Sequence, residues 1–198
     1  MSQESHGWAN PGPAGLVGLA VACFTFFAVL TGRVDHVGAL PLLGIWLLGG
    51  FFVQLVVAII ELSHGNVVGG NVFLYFSAYF MLVGGLEMLI KWYCITHQIP
   101  FDGKIDGWAW LVLSGALTLW APGYLASPKS LFLAVVALVP AVWLVAFKDL
   151  GILPNVGPVA GWLLLITGIL GLYTSAGVVL NTKFGKTVIP MGDPIIKS

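Results

Sequence analysis

Apolar residues run in six long stretches, near 14–32, 39–60, 71–90, 107–126, 128–147 and 158–180, with short polar breaks between them. A hydrocarbon core about 30 Å thick is spanned by about 20 apolar residues in a helix, so each stretch is long enough to cross it. Inside lipid every backbone N–H and C=O must be satisfied within protein, which makes helices the default. The pattern predicts an all-α integral membrane protein, a single six-helix transmembrane domain over residues 1–198 with short tails. The first break is Arg33-Val34-Asp35-His36, and the second Glu61-Leu62-Ser63-His64-Gly65-Asn66. The longest runs from Lys91 to Asp106. Pro122 removes a backbone donor near the end of the fourth stretch and makes that end irregular.

Composition narrows the class. Of the 198 residues 59% are hydrophobic and 8% charged, with a mean hydropathy of +0.99. A soluble domain carries roughly a quarter charged residues. Eight bases balance eight acids, which leaves no basic footprint for nucleic acid. The first 13 residues hold no Lys or Arg, so the first stretch does not read as a cleavable signal. Cys23 lies in an apolar run and Cys94 in a connecting segment, and two cysteines make no disulfide framework. The histidines, His6, His36, His64 and His97, all fall outside the stretches at spacings unsuited to a metal. No nucleophile elbow, zinc-helix pair or phosphate loop occurs, so no catalytic residue, metal or cofactor is expected, and an enzyme is not.

An even number of spans puts both termini on one side. That side holds Lys129, Lys183, Lys186 and Lys197, and the other holds Arg33, Lys91, Lys104 and Lys148. The tally ties, and Lys183 and Lys186, closest to a span, tilt the termini toward the cytoplasm. Trp8, Trp92, Trp108, Trp110 and Trp162 fall near span ends, where amphipathic rings anchor at the interface. Glycine pairs such as Gly49/Gly50 and Gly84/Gly85 suit either close helix packing or a narrow path.

The odd spans start on one side of the membrane. Their starts are Asn10-Pro11-Gly12-Pro13-Ala14-Gly15-Leu16, the segment Gly65-Asn66 to Asn71, and Ser127-Pro128. Asn and Ser are preferred caps and Pro suits a first helical turn, so ordinary capping is one reading. The other is an anion-collecting vestibule, because helix N-termini present free N–H groups and positive dipole ends. Three polar groups in or beside the spans carry further alternatives. Gln54, seven residues before Glu61 on nearly one face, either glues helices or offers donors to a carboxylate. Glu61 either tethers Asn66 at the third helix entrance or exchanges protons. Tyr79 offers a hydroxyl to a path, or bonds within its own helix. Glu87, four residues before Lys91, reads as an interface ion pair.

Asn10 to Leu16 resembles the N-P-A-P-L-G-L signature of the acetate uptake transporter family, which includes bacterial succinate–acetate permeases. Glu61 with Gly65-Asn66 is similar to the family's Glu…Gly-Asn pattern. Gly161-Trp162, Tyr173 and the run from Val179 to Gly192 are similar to its C-terminal segment. Gly12 and Ala14 depart from the usual Ala and Leu. The resemblance implies three helical hairpins around a central pathway, as in urea and amide channels, and a homo-hexameric ring with one path per protomer. It places an apolar constriction on Leu19, Phe76 and Leu138, and the helix starts supply an entry at Asn10, Pro11, Gly15, Asn66 and Asn71. The family commonly has an aromatic hydroxyl where Phe76 stands, so this ring is drier, and a dry ring gates by dewetting.

The expected function is transport of acetate and related small monocarboxylates, succinate among them, by channel-like or proton-coupled permeation in the cell membrane. The expected partners are the carboxylate, the lipid bilayer and other copies of the chain. Two alternatives stand beside it: a channel for a neutral solute such as urea, and a non-conducting structural or sensory membrane protein.

Overall fold

The computed structural model describes residues 8–197, so His6 lies outside the described residues. Six helices are long and apolar enough to span a membrane: α1 Gly12–Leu30, α2 Leu40–Ser63, α3 Val67–Thr96, α4 Lys104–Ala126, α5 Lys129–Asp149 and α6 Pro154–Phe184. α4 ends in a 3₁₀ turn, Ala121–Ala126, where Pro122 interrupts the ladder. α5 continues through Pro140.

α3 differs most from the expected stretch. It starts at Val67 because Asn66 caps it, accepting from the Gly69 N–H at 3.0 Å. It runs to Thr96, past the charges that mark an end in sequence, because Lys91 pairs with Glu87 and, at 2.7 Å, with Asp106 of α4. Ion-paired charges can lie past the point where isolated ones would need an aqueous break. Cys94 therefore sits on a helix and not in a connector, and the connector shrinks to residues 97–103. Mid-helix, Phe76–Val83 is π-helical, a wide turn of a kind often found at functional sites.

The helices close into a ring in chain order. α1 packs on α2 and α6, α2 on α3, and α5 on α4 and α6. Aromatic pairs join α3 to α4: Tyr75 with Trp120 and Phe80 with Trp110, each with centroids 5.5 Å apart. Antiparallel neighbours joined by short loops make three hairpins around a central path. Leu42, Ile45, Phe52, Val56 and Ile59 stand exposed along the outer face of α2, as lipid contact requires. The chain is a multi-pass membrane protein.

The glycines separate into two roles. At the α2–α3 crossing, a Cβ on Gly44 would sit 2.7 Å from the Gly85 carbonyl oxygen, and one on Gly85 would sit 2.9 Å from the Gly44 oxygen. Backbone cannot move aside as a side chain can, so Gly44→Ala is expected to cost at least the roughly 1–3 kcal/mol of overpacking. Gly49 meets nothing within 4 Å, and Gly49→Ala is expected to be neutral or to gain up to about 1 kcal/mol of helix propensity. Thermal unfolding in detergent reads both, and equal effects would remove the close-crossing assignment.

Candidate functional site

A cavity of about 530 Å³ opens among the starts of the odd-numbered helices. Its mouth holds Asn10, Glu61 and Asn66, and it reaches Gln54, Leu19, Phe76 and Leu138. Leu19, Phe76 and Leu138 lie two to three turns inside α1, α3 and α5, about 10–15 Å from those helix starts at 1.5 Å per residue. Phe76 and Leu138 are buried, and they form the apolar inner end with Leu19.

The mouth is built from local capping chemistry. Asn10 stands ahead of the first turn of α1 and accepts from the Gly12 N–H at 2.8 Å; Pro11, not Asn10, occupies the cap position. Asn66 Oδ1 caps α3, while its Nδ2 donates to Glu61 Oε2 at 2.5 Å. Glu61 is only 8% exposed, and its other oxygen faces the start of α1. A Cβ on Gly12 would come within 3.1 Å of that oxygen, so the absent side chain leaves the carboxylate its room. One carboxylate thus joins two helix N-termini, where the dipoles favour it.

The third helix start is already occupied. The Lys129 and Ser130 N–H groups donate to the carbonyls of Gly192 and Met191, at 3.2 and 3.0 Å. The C-terminal strap is itself latched by Asn181, which accepts from the Val188 and Ile189 N–H groups, and by the Tyr173 hydroxyl, which donates to the Pro190 oxygen. Ser127 makes no side-chain cap. Two helix ends, not three, are left to face the vestibule.

Deeper in, Gln54 is buried; its Nε2 reaches the Gly15 carbonyl at 3.4 Å and its Oε1 has no partner among the described residues. Thr167 bonds the Leu163 carbonyl of its own helix, and Thr174 donates to Ser130 Oγ at 2.8 Å. The entry glycine, Gly15, is a packing site: a Cβ there would meet the Phe73 ring at 2.6 Å.

Two expected residues lie elsewhere. Asn71, five residues past the cap and so turned about 140° around the helix, is half-buried outside the cavity lining and bonds the Val67 carbonyl behind it. Tyr79 is 60% exposed, because the wide π turn that begins at Phe76 swings it out, and it borders the opposite cavity. Leu16, Leu117 and Tyr124 also line the vestibule; leucines in an apolar span carry no mark in sequence.

Beyond Phe76 the path is closed. The Phe76 and Phe80 rings meet edge to face at 5.6 Å, and Phe80 also touches Phe26 at 5.5 Å. On the far side lies a second cavity of about 630 Å³, lined by Phe26, Phe80, Glu87, Lys91, Asp106 and Lys148. One aromatic layer separates the two cavities.

No protein-family model matches the chain. Over 190 residues it is 27% identical to the Escherichia coli K12 protein named succinate-acetate/proton symporter SatP, covering 93% of this chain and 96% of that one. The Shigella flexneri protein of the same name matches with the same identity and coverage. The solved structure of the bacterial acetate channel SatP superposes with a TM-score of 0.80 at 24% identity, covering 93% of this chain and 99% of the other. The chain has the fold of that channel and is similar to SatP nearly from end to end.

Proposed function

We propose that this protein carries acetate and related small monocarboxylates, succinate among them, across the cell membrane through a path within each protomer. The observation that carries this reading is one cavity with polar helix starts at its mouth and a closed apolar layer at its inner end. Asn10, Pro11 and Asn66 at the N-termini of α1 and α3, with the Glu61 carboxylate set between them, form the entry that receives the solute. Leu19, Phe76 and Leu138 form the constriction, and the buried Gln54 amide lies beside the path that leads to it. Glu61 sets the mouth geometry. The relatives' names, a succinate-acetate/proton symporter and an acetate channel, agree with this chemistry.

A bare carboxylate entering a dry layer loses its hydration at a cost of several kcal/mol or more. Crossing therefore favours the neutral acid, or an anion accompanied by a proton. We further propose that six protomers form a ring, as the resemblance implies, and that both termini face the cytoplasm, where Lys183 and Lys186 flank α6. Labelled-acetate exchange in proteoliposomes tests the reading. Exchange well above protein-free vesicles is expected, with no comparable urea flux. Urea flux alone would reassign the path to a neutral solute, and no flux of either would leave a non-conducting protein.

A further inference from the structure

The far vestibule carries a charge arrangement that capping and packing do not account for. Facing it are Glu87 and Lys91 on α3, Asp106 on α4, Lys148 and Asp149 on α5, His36 from the first connector, and the Tyr79 hydroxyl. Lys148 and Asp149 pair with each other at 3.2 Å and add no net charge. Lys91 pairs with both Glu87 and Asp106, so one ammonium answers two carboxylates and one negative charge is left over. The three side chains are only 17–22% exposed. An uncompensated carboxylate held at the end of a pathway for carboxylates repels the substrate it faces.

We propose that Glu87, Lys91 and Asp106 form the proton-accepting site of the far vestibule, taking the proton that travels with the acid. This rests on the transport reading above. The acid crosses the Phe76–Phe80 layer uncharged and meets the triad. Its O–H bond breaks, and a new O–H bond forms on the Glu87 or Asp106 carboxylate. The vestibule exchanges its own excess charge for that of the released carboxylate, which Lys91, now sharing one anionic neighbour, holds until water takes it. The proton follows to water, and the reverse sequence loads the acid. No electrons are transferred, and every proton is accounted for.

The pH profile of labelled-acetate exchange, with equal acetate on both sides and protein-free vesicles subtracted, tests this. In Glu87→Gln and in Asp106→Asn the lysine answers a single carboxylate, the excess charge is gone, and the pH step of the wild type is expected to disappear. In Lys91→Gln the two carboxylates lose their cation, and the step is expected to move to higher pH by about one unit or more. All three substitutions break the same ion-pair cluster, so a purely structural role shifts them alike. Three profiles that match the wild type, or move in one direction, overturn the proposal while leaving acetate transport in place. A wild type that exchanges no acetate overturns the transport reading instead, and this one with it. If the variants do not fold, pH-difference infrared spectroscopy of the wild type decides. A carboxyl band that titrates and shifts when acetate is added supports the site, and its absence overturns it.

Discussion

Phe76→Ala is expected to raise acetate flux about tenfold and to admit bulkier carboxylates such as benzoate. The ring stands between the cavity at the odd helix starts and Phe80, which lines the far cavity, with its centroid 4.7 Å from that of Tyr75 and 5.6 Å from that of Phe80. Truncation lets vestibule water reach Phe80 and thins the dry layer. A barrier lowered by about 1.4 kcal/mol gives the tenfold increase. The usual cost of Phe→Ala in a sealed core is about 3–5 kcal/mol; here water from the cavity fills the gap, and the loss falls at or below the lower end of that range. Phe76→Tyr keeps the ring and is expected to keep benzoate out. The measurements are paired acetate and benzoate fluxes in proteoliposomes, with thermal unfolding as the check on folding. A folded Phe76→Ala protein with wild-type fluxes removes Phe76 from the path.

The helices are readable in sequence because lipid leaves the backbone one economical solution, and apolar runs therefore map directly onto spans. What sequence does not show is compensation between distant charges. Glu87 and Lys91 mark the end of an apolar run, yet α3 passes them because Asp106, fifteen residues later, completes the cluster. The two asparagines Asn66 and Asn71 are equivalent as residue types near a helix start. Only the cap geometry separates the one that faces the vestibule from the one that bonds its own helix. The π turn over Phe76–Val83 has no residue signature, so the outward swing of Tyr79 was not visible. The strap from Gly185 onward reads as a short tail, which hides that its carbonyls occupy the N–H groups at the start of α5. Leu19, Phe76, Leu138, Gln54 and Glu61 do meet in one cavity. That convergence follows from the ring, in which the odd helices start on one side.

Glu61 separates a tether from a proton carrier at the near mouth, and the geometry supports a tether. Its Oε2 accepts from the Asn66 amide that caps α3, and its Oε1 lies against the first turn of α1. Glu61→Ala removes the acceptor of that amide and loosens the cap. A hydrogen bond to a charged group is worth about 1.5–3 kcal/mol and a cap about 0.5–2 kcal/mol. The expected loss is roughly 2–4 kcal/mol when these partly overlapping terms are combined, seen as a lower unfolding temperature, and acetate flux falls at least about tenfold as the mouth loses its shape. Glu61→Gln keeps an oxygen for Asn66 and gives up only the charge. It is expected to retain most of the stability and most of the flux, because the dipole term at a helix start is about 0.3–1 kcal/mol. The two substitutions therefore diverge if Glu61 shapes the mouth. They converge, with Gln as inactive as Ala while still folded, if the carboxylate itself exchanges the proton. That result would move proton handling from the far triad to the near mouth, because Asn66 can be satisfied by either oxygen but a proton can be carried only by the carboxylate.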